Sequence, residues 1–121
     1  MGTQSPYLQA VRAFADLSLA RGRDHYRART TPLFVDGLNV DTFAPVEWLC
    51  DGQRWIICNP ASQQDFVRTL VGLTNLTGDD RYRAAAAEAM QYFLDHYVDS
   101  RGLPKWGGHR FVDLRDRKSV V

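Results

Sequence analysis

The chain has 121 residues, 15 basic and 14 acidic, for a net charge of +1, and is 45% hydrophobic and 12% aromatic. That length allows one domain with a modest core and is short for an enzyme with its own deep cleft, while the near-neutral balance excludes a global field that would draw nucleic acid or an acidic membrane surface. No apolar run approaches a membrane span, and the start, Met1 to Pro6, lacks a basic region followed by an apolar core, so a cytoplasmic address is the default expectation and the periplasm the other.

Ser5 as cap and Pro6 at the first helical position predict a helix to about Ala20, with Gly22 as its stop. Leu8, Val11, Phe14, Ala15 and Leu19 recur at helical spacing as its buried face, leaving Arg12, Asp16 and Arg23 solvated. From Arg23 to Pro60 the helical period disappears among Pro32, Gly37, Pro45 and Asp51-Gly52. A stretch of that length without helix carries function or a small sheet. With Asp51-Gly52 as the turn, a hairpin pairs Trp48 with Trp55, Val46 with Ile57 and Cys50 with Gln53. An aromatic cross-strand pair stabilises it by about 0.5 to 1 kcal/mol, too little to stand alone, so the ribbon must pack on helices. The same register sets Cys50 and Cys58 roughly 17 Å apart, beyond disulfide reach, and two thiols without companions make no zinc site.

Asn59 or Ser62 around Pro60 opens a second helix that closes at Gly78, with Phe66, Leu70, Leu73 and Leu76 as its stripe and Val67 and Val71 beside them. Asp79 or Asp80 caps a third, carrying Tyr82, Ala85, Ala86, Ala89, Phe93 and Tyr97 inward and ending by Gly102. The short link between them makes the two helices antiparallel neighbours. The plan is an α-hairpin array, in which each pair leaves apolar surface for the next to cover. The expected fold class is therefore all-α, a fragment of an (α/α) toroid or barrel with a small β-hairpin insertion, occupying residues 1–114. Residues 115–121 carry no continuing period and read as non-native sequence or a frayed tail.

Past the third helix, Gly102 to Leu114 sets Trp106, His109 and Arg110 on backbone made pliable by Gly107 and Gly108. Trp106 offers a flat surface of the kind sugars stack on, and loops at helix ends often carry function. A plain connection, with Trp106 and Phe111 plugging a core and His109 bound to a carbonyl, explains the same residues. Gln63 and Gln64 could reach substrate hydroxyls but are better read as solvated or capping; Asp36 and Asp41 on the long loop could approach substrate, yet turns explain them without function, and Asn59 is better read as a cap. His25 and His96 lack a histidine partner at metal-binding spacing, and Glu47 is expected to be exposed.

The succession Thr31-Pro32-Leu33-Phe34-Val35-Asp36-Gly37-Leu38-Asn39-Val40, then Pro45-Val46-Glu47-Trp48, Asn59-Pro60-Ala61-Ser62-Gln63-Gln64 and Trp106-Gly107-Gly108-His109-Arg110-Phe111-Val112-Asp113-Leu114 resembles the N-terminal portion of pectate lyases of polysaccharide lyase family 2. The resemblance implies an (α/α) barrel several times longer than this chain, cleaving polygalacturonate by β-elimination with a divalent transition metal such as manganese. In that chemistry the ion offsets the uronate carboxylate so that a base can take the C5 proton as the C4 oxygen leaves. It makes His109 a metal ligand, with Trp106 and Arg110 on the substrate side. The further ligands and the base, a Glu and an Arg-His pair, would lie beyond Leu114, so the chain contains no catalytic residue, holds no metal by itself and is expected to be inactive. The implied partner is an acidic polysaccharide or oligogalacturonate, with neither nucleic acid nor membrane, and self-association through exposed helix faces is expected. The alternatives are another (α/α)-toroid carbohydrate enzyme, a glycoside hydrolase or sugar epimerase, and a non-catalytic helical interaction domain.

Overall fold

The computed structural model of the protein describes residues 5–107 and 109–120, with Cys50 and Val120 as backbone only. Gly108 of the Gly-Gly-His motif and Val121 lie outside the described residues. The elements run α1 (Pro6–Arg21), β1 (Glu47–Cys50), β2 (Gln53–Cys58), α2 (Gln64–Thr77), α3 (Asp80–His96), β3 (Phe111–Asp113) and β4 (Lys118–Val120). Among the described residues no helix is long and apolar enough to cross a membrane.

α1 begins as its sequence dictates, the Ser5 hydroxyl accepting from the Tyr7 N–H at 3.2 Å and Pro6 following. Only Ala15 of its expected inner face is fully buried; Phe14 stays largely exposed, its ring meeting Phe66 edge-on at 5.7 Å. α2 starts at Gln64, later than Pro60 suggests, because Asn59 spends its caps on a preceding turn: its Oδ1 accepts from Ala61 N–H and its carbonyl from Ser62 N–H, both at 3.0 Å. The α2 to α3 connection turns on Gly78 at φ 75°, a left-handed angle costly to any side chain, and Asp79 caps α3 by accepting from Arg81 N–H at 3.1 Å. The Thr74 hydroxyl staples the two helices, donating to the Asp79 carbonyl at 2.7 Å and accepting from Arg83 N–H at 2.9 Å. Tyr82, Ala85, Ala86, Ala89, Phe93 and Tyr97 are all buried, as their spacing predicts.

The all-α expectation is overturned by the sheet. The hairpin forms in the expected register, Trp48 opposite Trp55 and Cys50 opposite Gln53, but it does not rest on helices alone. β3 pairs antiparallel with β2, setting Cys58 against Val112, and β4 pairs with β3, giving a four-stranded sheet in the order β1-β2-β3-β4. The described chain is thus three helices with an antiparallel sheet, not part of a plainly all-α toroid. A two-stranded ribbon is marginal in water, and the third and fourth strands supply what it lacks. Residues 115–120, read from the sequence as a tail, form the turn and strand that close this sheet.

That turn is held by charge. Asp113 accepts from Ile56 N–H at 3.2 Å and Arg115 N–H at 3.1 Å, and its carboxylate takes the Arg115 guanidinium at 2.8 Å. Arg117 adopts a left-handed φ of 60°, which its surroundings enforce. Its Nε donates to Asp24 at 2.8 Å, its guanidinium reaches the Arg29 carbonyl, and its own carbonyl accepts from the Tyr97 hydroxyl at 2.9 Å. Asp24 is 0% exposed and its second donor is the Thr31 hydroxyl at 2.6 Å.

The core falls into two clusters. One gathers Ala15, Phe34, Leu70, Leu73, Tyr82 and the α3 alanines between the helices. The other packs Leu33, Val35, Ile56, Cys58, Phe93, Tyr97, Val112 and Leu114 between the sheet, the end of α3 and the 31–35 segment.

Candidate functional site

His109 stands just ahead of β3, on the rim of a hollow of about 390 Å³, within the size range of small-ligand sites. One wall is the sheet face turned away from the core: in β2 the side chains of Ile56 and Cys58 point inward, so Trp55 and Ile57 point out, and Trp48 joins them from β1. Phe111 meets Trp48 edge-on at 6.4 Å and Trp55 at 5.6 Å, so three aromatic rings share this outer face. Trp48 is 57% exposed and lines the hollow with Ile57 and Phe111.

The other wall is polar. The Asp36 N–H donates to the Ile57 carbonyl at 2.8 Å, which ties the 34–37 segment to β2. Asp36 Oδ1 accepts from Asn59 N–H at 2.8 Å and from Gln63 Nε2 at 2.6 Å, and Oδ2 from the Ser62 hydroxyl at 3.3 Å. Gln63 Nε2 also donates to the Phe34 carbonyl at 2.8 Å, so this residue is a structural tie, neither solvated nor a side-chain cap, whereas Gln64 remains at the surface. Burial pushes the Asp36 carboxyl above the ordinary carboxylate range, against the opposing pull of Asn59, Gln63 and Ser62. Gly37 allows the loop to pass close: a Cβ there would meet Val46 Cγ2 at 3.3 Å.

The structure separates the three residues singled out in the Trp106 to Leu114 stretch. His109 is exposed at the hollow, beside the same space as Asp36. Trp106 packs edge-on to Phe93 at 6.1 Å, 39% exposed, and is not among the residues lining that space. Arg110 is exposed, its N–H donating to the Gly107 carbonyl at 3.2 Å. Its charge is one of the smaller influences on Asp99, whose carboxyl is held below the ordinary range chiefly by Arg101 and then by Leu103 N–H. Asp36, which the sequence places on a loop able to approach substrate, does face the hollow, whereas the sequence offers Trp48 only as a cross-strand partner. The cross-strand register did place Trp48 and Ile57 on one face, which was the available signal.

The other expectations about single residues are met by local partners. His25 donates to the Arg23 carbonyl at 2.6 Å; His96 donates to the Tyr92 carbonyl at 2.9 Å and stacks on its ring; Glu47 pairs with Arg54 at 3.1 Å on the surface. A larger depression of about 680 Å³ lies beside Arg23, Asp24 and Glu88, but Arg23 is already committed to Glu88 at 3.1 Å and the Pro32 carbonyl at 3.3 Å. Cys58 is a buried free thiol; the Cys50 side chain lies outside the described residues.

A divalent metal needs several ligands, and among the described residues no three His, Cys, Asp or Glu side chains gather to hold one. His109 shares its hollow with one carboxylate, and three donors already occupy that carboxylate. The described residues do not make up a complete metal site.

The profile of a family described as periplasmic pectate lyase matches residues 31–121. The pectate disaccharide-lyase of Dickeya dadantii (strain 3937), a curated relative, is 41% identical over 92 residues, covering 74% of this chain and 17% of that protein. The chain therefore spans about 17% of the length of the relative it matches. The matched segment contains the hollow, both of its walls and His109.

Proposed function

Because the chain belongs to the periplasmic pectate lyase family, we propose that it serves the β-elimination of polygalacturonate in the periplasm, as one portion of a larger catalytic unit. The observation that carries this reading is the family match over residues 31–121, which include the hollow and His109, together with the 41% identity to a pectate disaccharide-lyase over 92 residues. The family's description favours the periplasm over the cytoplasmic default. Its substrate in this reading is an acidic polysaccharide or oligogalacturonate.

In the assembled unit His109 would contribute one ligand to a divalent transition metal such as manganese, and Trp106 and Arg110, outside the hollow itself, would stand on the substrate side. That ion, when bound, supplies charge to offset a uronate carboxylate. The chain alone, with one imidazole and one occupied carboxylate at the hollow, turns over no substrate. Leu76 and Leu94, exposed on α2 and α3, offer apolar surface for association between copies.

A chimera tests this reading: the matched segment of the Dickeya dadantii enzyme is replaced by residues 31–121 of this chain, and formation of the unsaturated uronate product is followed with and without manganese. The chimera is expected to make product, and its His109→Ala variant to lose product formation and metal affinity together while keeping its helical content. An inactive but folded chimera overturns the lyase reading; an unimpaired His109→Ala variant removes His109 from the metal site.

A further inference from the structure

We infer that the hollow beside His109 is a sugar subsite in which Trp48 is the stacking platform and Asp36 reads hydroxyl groups, so that a uronate ring bound there turns its carboxylate away from Asp36. The inference rests on the lyase reading and deepens it, because it names binding residues on the sheet and a ring orientation.

Trp48 has the properties of a platform. It lies on an edge strand, it is more than half exposed, and its ring is braced edge-on by Phe111 at 6.4 Å, which is itself held at 5.6 Å from Trp55. An aromatic face held rigid before the ligand arrives loses little freedom on binding. A tryptophan serving only the core would be turned inward with Ile56 and Cys58, and the register of the hairpin turns this one out.

The facing wall decides what sits on the platform. Its charged group is a carboxylate with no cation among its hydrogen-bond partners, and its neighbours Asn59 and Ser62 are uncharged. Two of its three donors are on Oδ1, and Oδ2 takes the Ser62 hydroxyl at 3.3 Å, so Oδ2 keeps capacity to accept from a sugar hydroxyl. A second carboxylate pushed against Asp36 would meet like charge at close range, which raises the cost of both. A uronate therefore lies with its face on Trp48, a hydroxyl edge on Asp36 and its carboxylate outward.

The test is titration of the 121-residue chain with a galacturonate trisaccharide and, separately, a neutral galactose trisaccharide, read by amide chemical shifts. Shifts are expected at Trp48, Ile57 and Ser62 with both sugars. Trp48→Ala should weaken galacturonate binding about tenfold, the order of loss when an aromatic anchor is truncated, and Trp48→Phe should restore most of it. Asp36→Asn should weaken both sugars by a similar factor. Tighter galacturonate binding in Asp36→Asn would show that the uronate carboxylate faces Asp36 and would overturn the orientation. Binding unchanged in Trp48→Ala overturns the platform, as do shifts at Trp48 that follow protein concentration instead of sugar, which would make this face a contact between copies. Absence of any binding by the wild-type chain overturns the subsite, whereas the lyase reading stands or falls with product formation by the chimera.

Discussion

Around Tyr82 and Leu70 the core is closed by side-chain volume: alanines on α3 let the helices approach, and the polar ties, Thr74 to Asp79, Tyr82 to Asp16 at 2.6 Å and Arg12 to Asp79 at 3.7 Å, lie at its margin. Around Cys58 and Val112 the strands are short, and carboxylates help to close them: Asp24 pairs with Arg117, Asp113 pairs with Arg115, and Asp36 accepts hydrogen bonds from Gln63 and Ser62. Both halves carry ion pairs, but the carboxylates of the helical half stay partly exposed, whereas Asp24 and Asp113 of the sheet half are buried. The hollow beside His109 belongs to the sheet half.

The largest expected effect breaks the sheet half alone. Arg117→Met leaves the Asp24 carboxylate, 0% exposed, without its cation, and removing one partner of a buried pair costs about 3–5 kcal/mol. Urea unfolding should show that loss, and the double variant with Asp24→Asn should recover part of it. A single-variant loss under about 1 kcal/mol, the value of a surface pair, would mean that the strands close without charge.

Leu70→Ala attacks the helical half. Leu70 is fully buried between α2 and α3, so truncation should cost about 2–5 kcal/mol. The loss should be the same in acid and at neutral pH, because no titrating group replaces the missing volume; a loss that changes with pH would blur the division between the halves.

Two carboxyls sharpen the comparison with smaller effects of opposite sign. Burial works against the Asp113 carboxylate, but Arg115 and the N–H groups of Arg115 and Ile56 outweigh it and hold its folded pKa below the ordinary value. Its contribution is present above the unfolded pKa of about 3.9 and is lost as pH falls through the lower folded value. Asp36 is raised by burial, so its contribution is present below about pH 3.9 and is lost as pH rises through the higher folded value. Urea midpoints across this range should show Asp113→Asn flattening the acid-side decline and Asp36→Asn flattening the decline on the other side. Equal slopes in both variants and the wild type would show that neither carboxyl is coupled to folding.

The same division explains what could be read from the sequence. Helical spacing identified every buried position from Tyr82 to Tyr97, because those residues answer to the periodicity of one continuous helix. The Asp51-Gly52 turn gave the hairpin and its register because the turn residues and the pairing are local. β3 and β4 were illegible: three residues each cannot show alternation, and the bend between them uses Arg117 at positive φ, where a glycine or asparagine would have been the signal. What holds that bend lies 93 residues away, at Asp24. At the site, the loop carrying His109 was legible from its glycines and its resemblance to a family, whereas for Asp36 the sequence could not choose between a turn residue and one that approaches substrate. Its place opposite Trp48 depends on the 34–37 segment bonding to β2, a contact that no local pattern encodes.

Cys58 sits at the centre of the charge-tied half, fully buried, with burial first and Asp36 second among the influences that push its thiol far above the usual range. A thiol so poor in thiolate and so shielded does not meet alkylating reagents in the closed protein. Its labelling therefore runs at the frequency with which β2 and β3 part, so the rate of modification at this one sulfur is a clock for opening of the wall that carries Trp48.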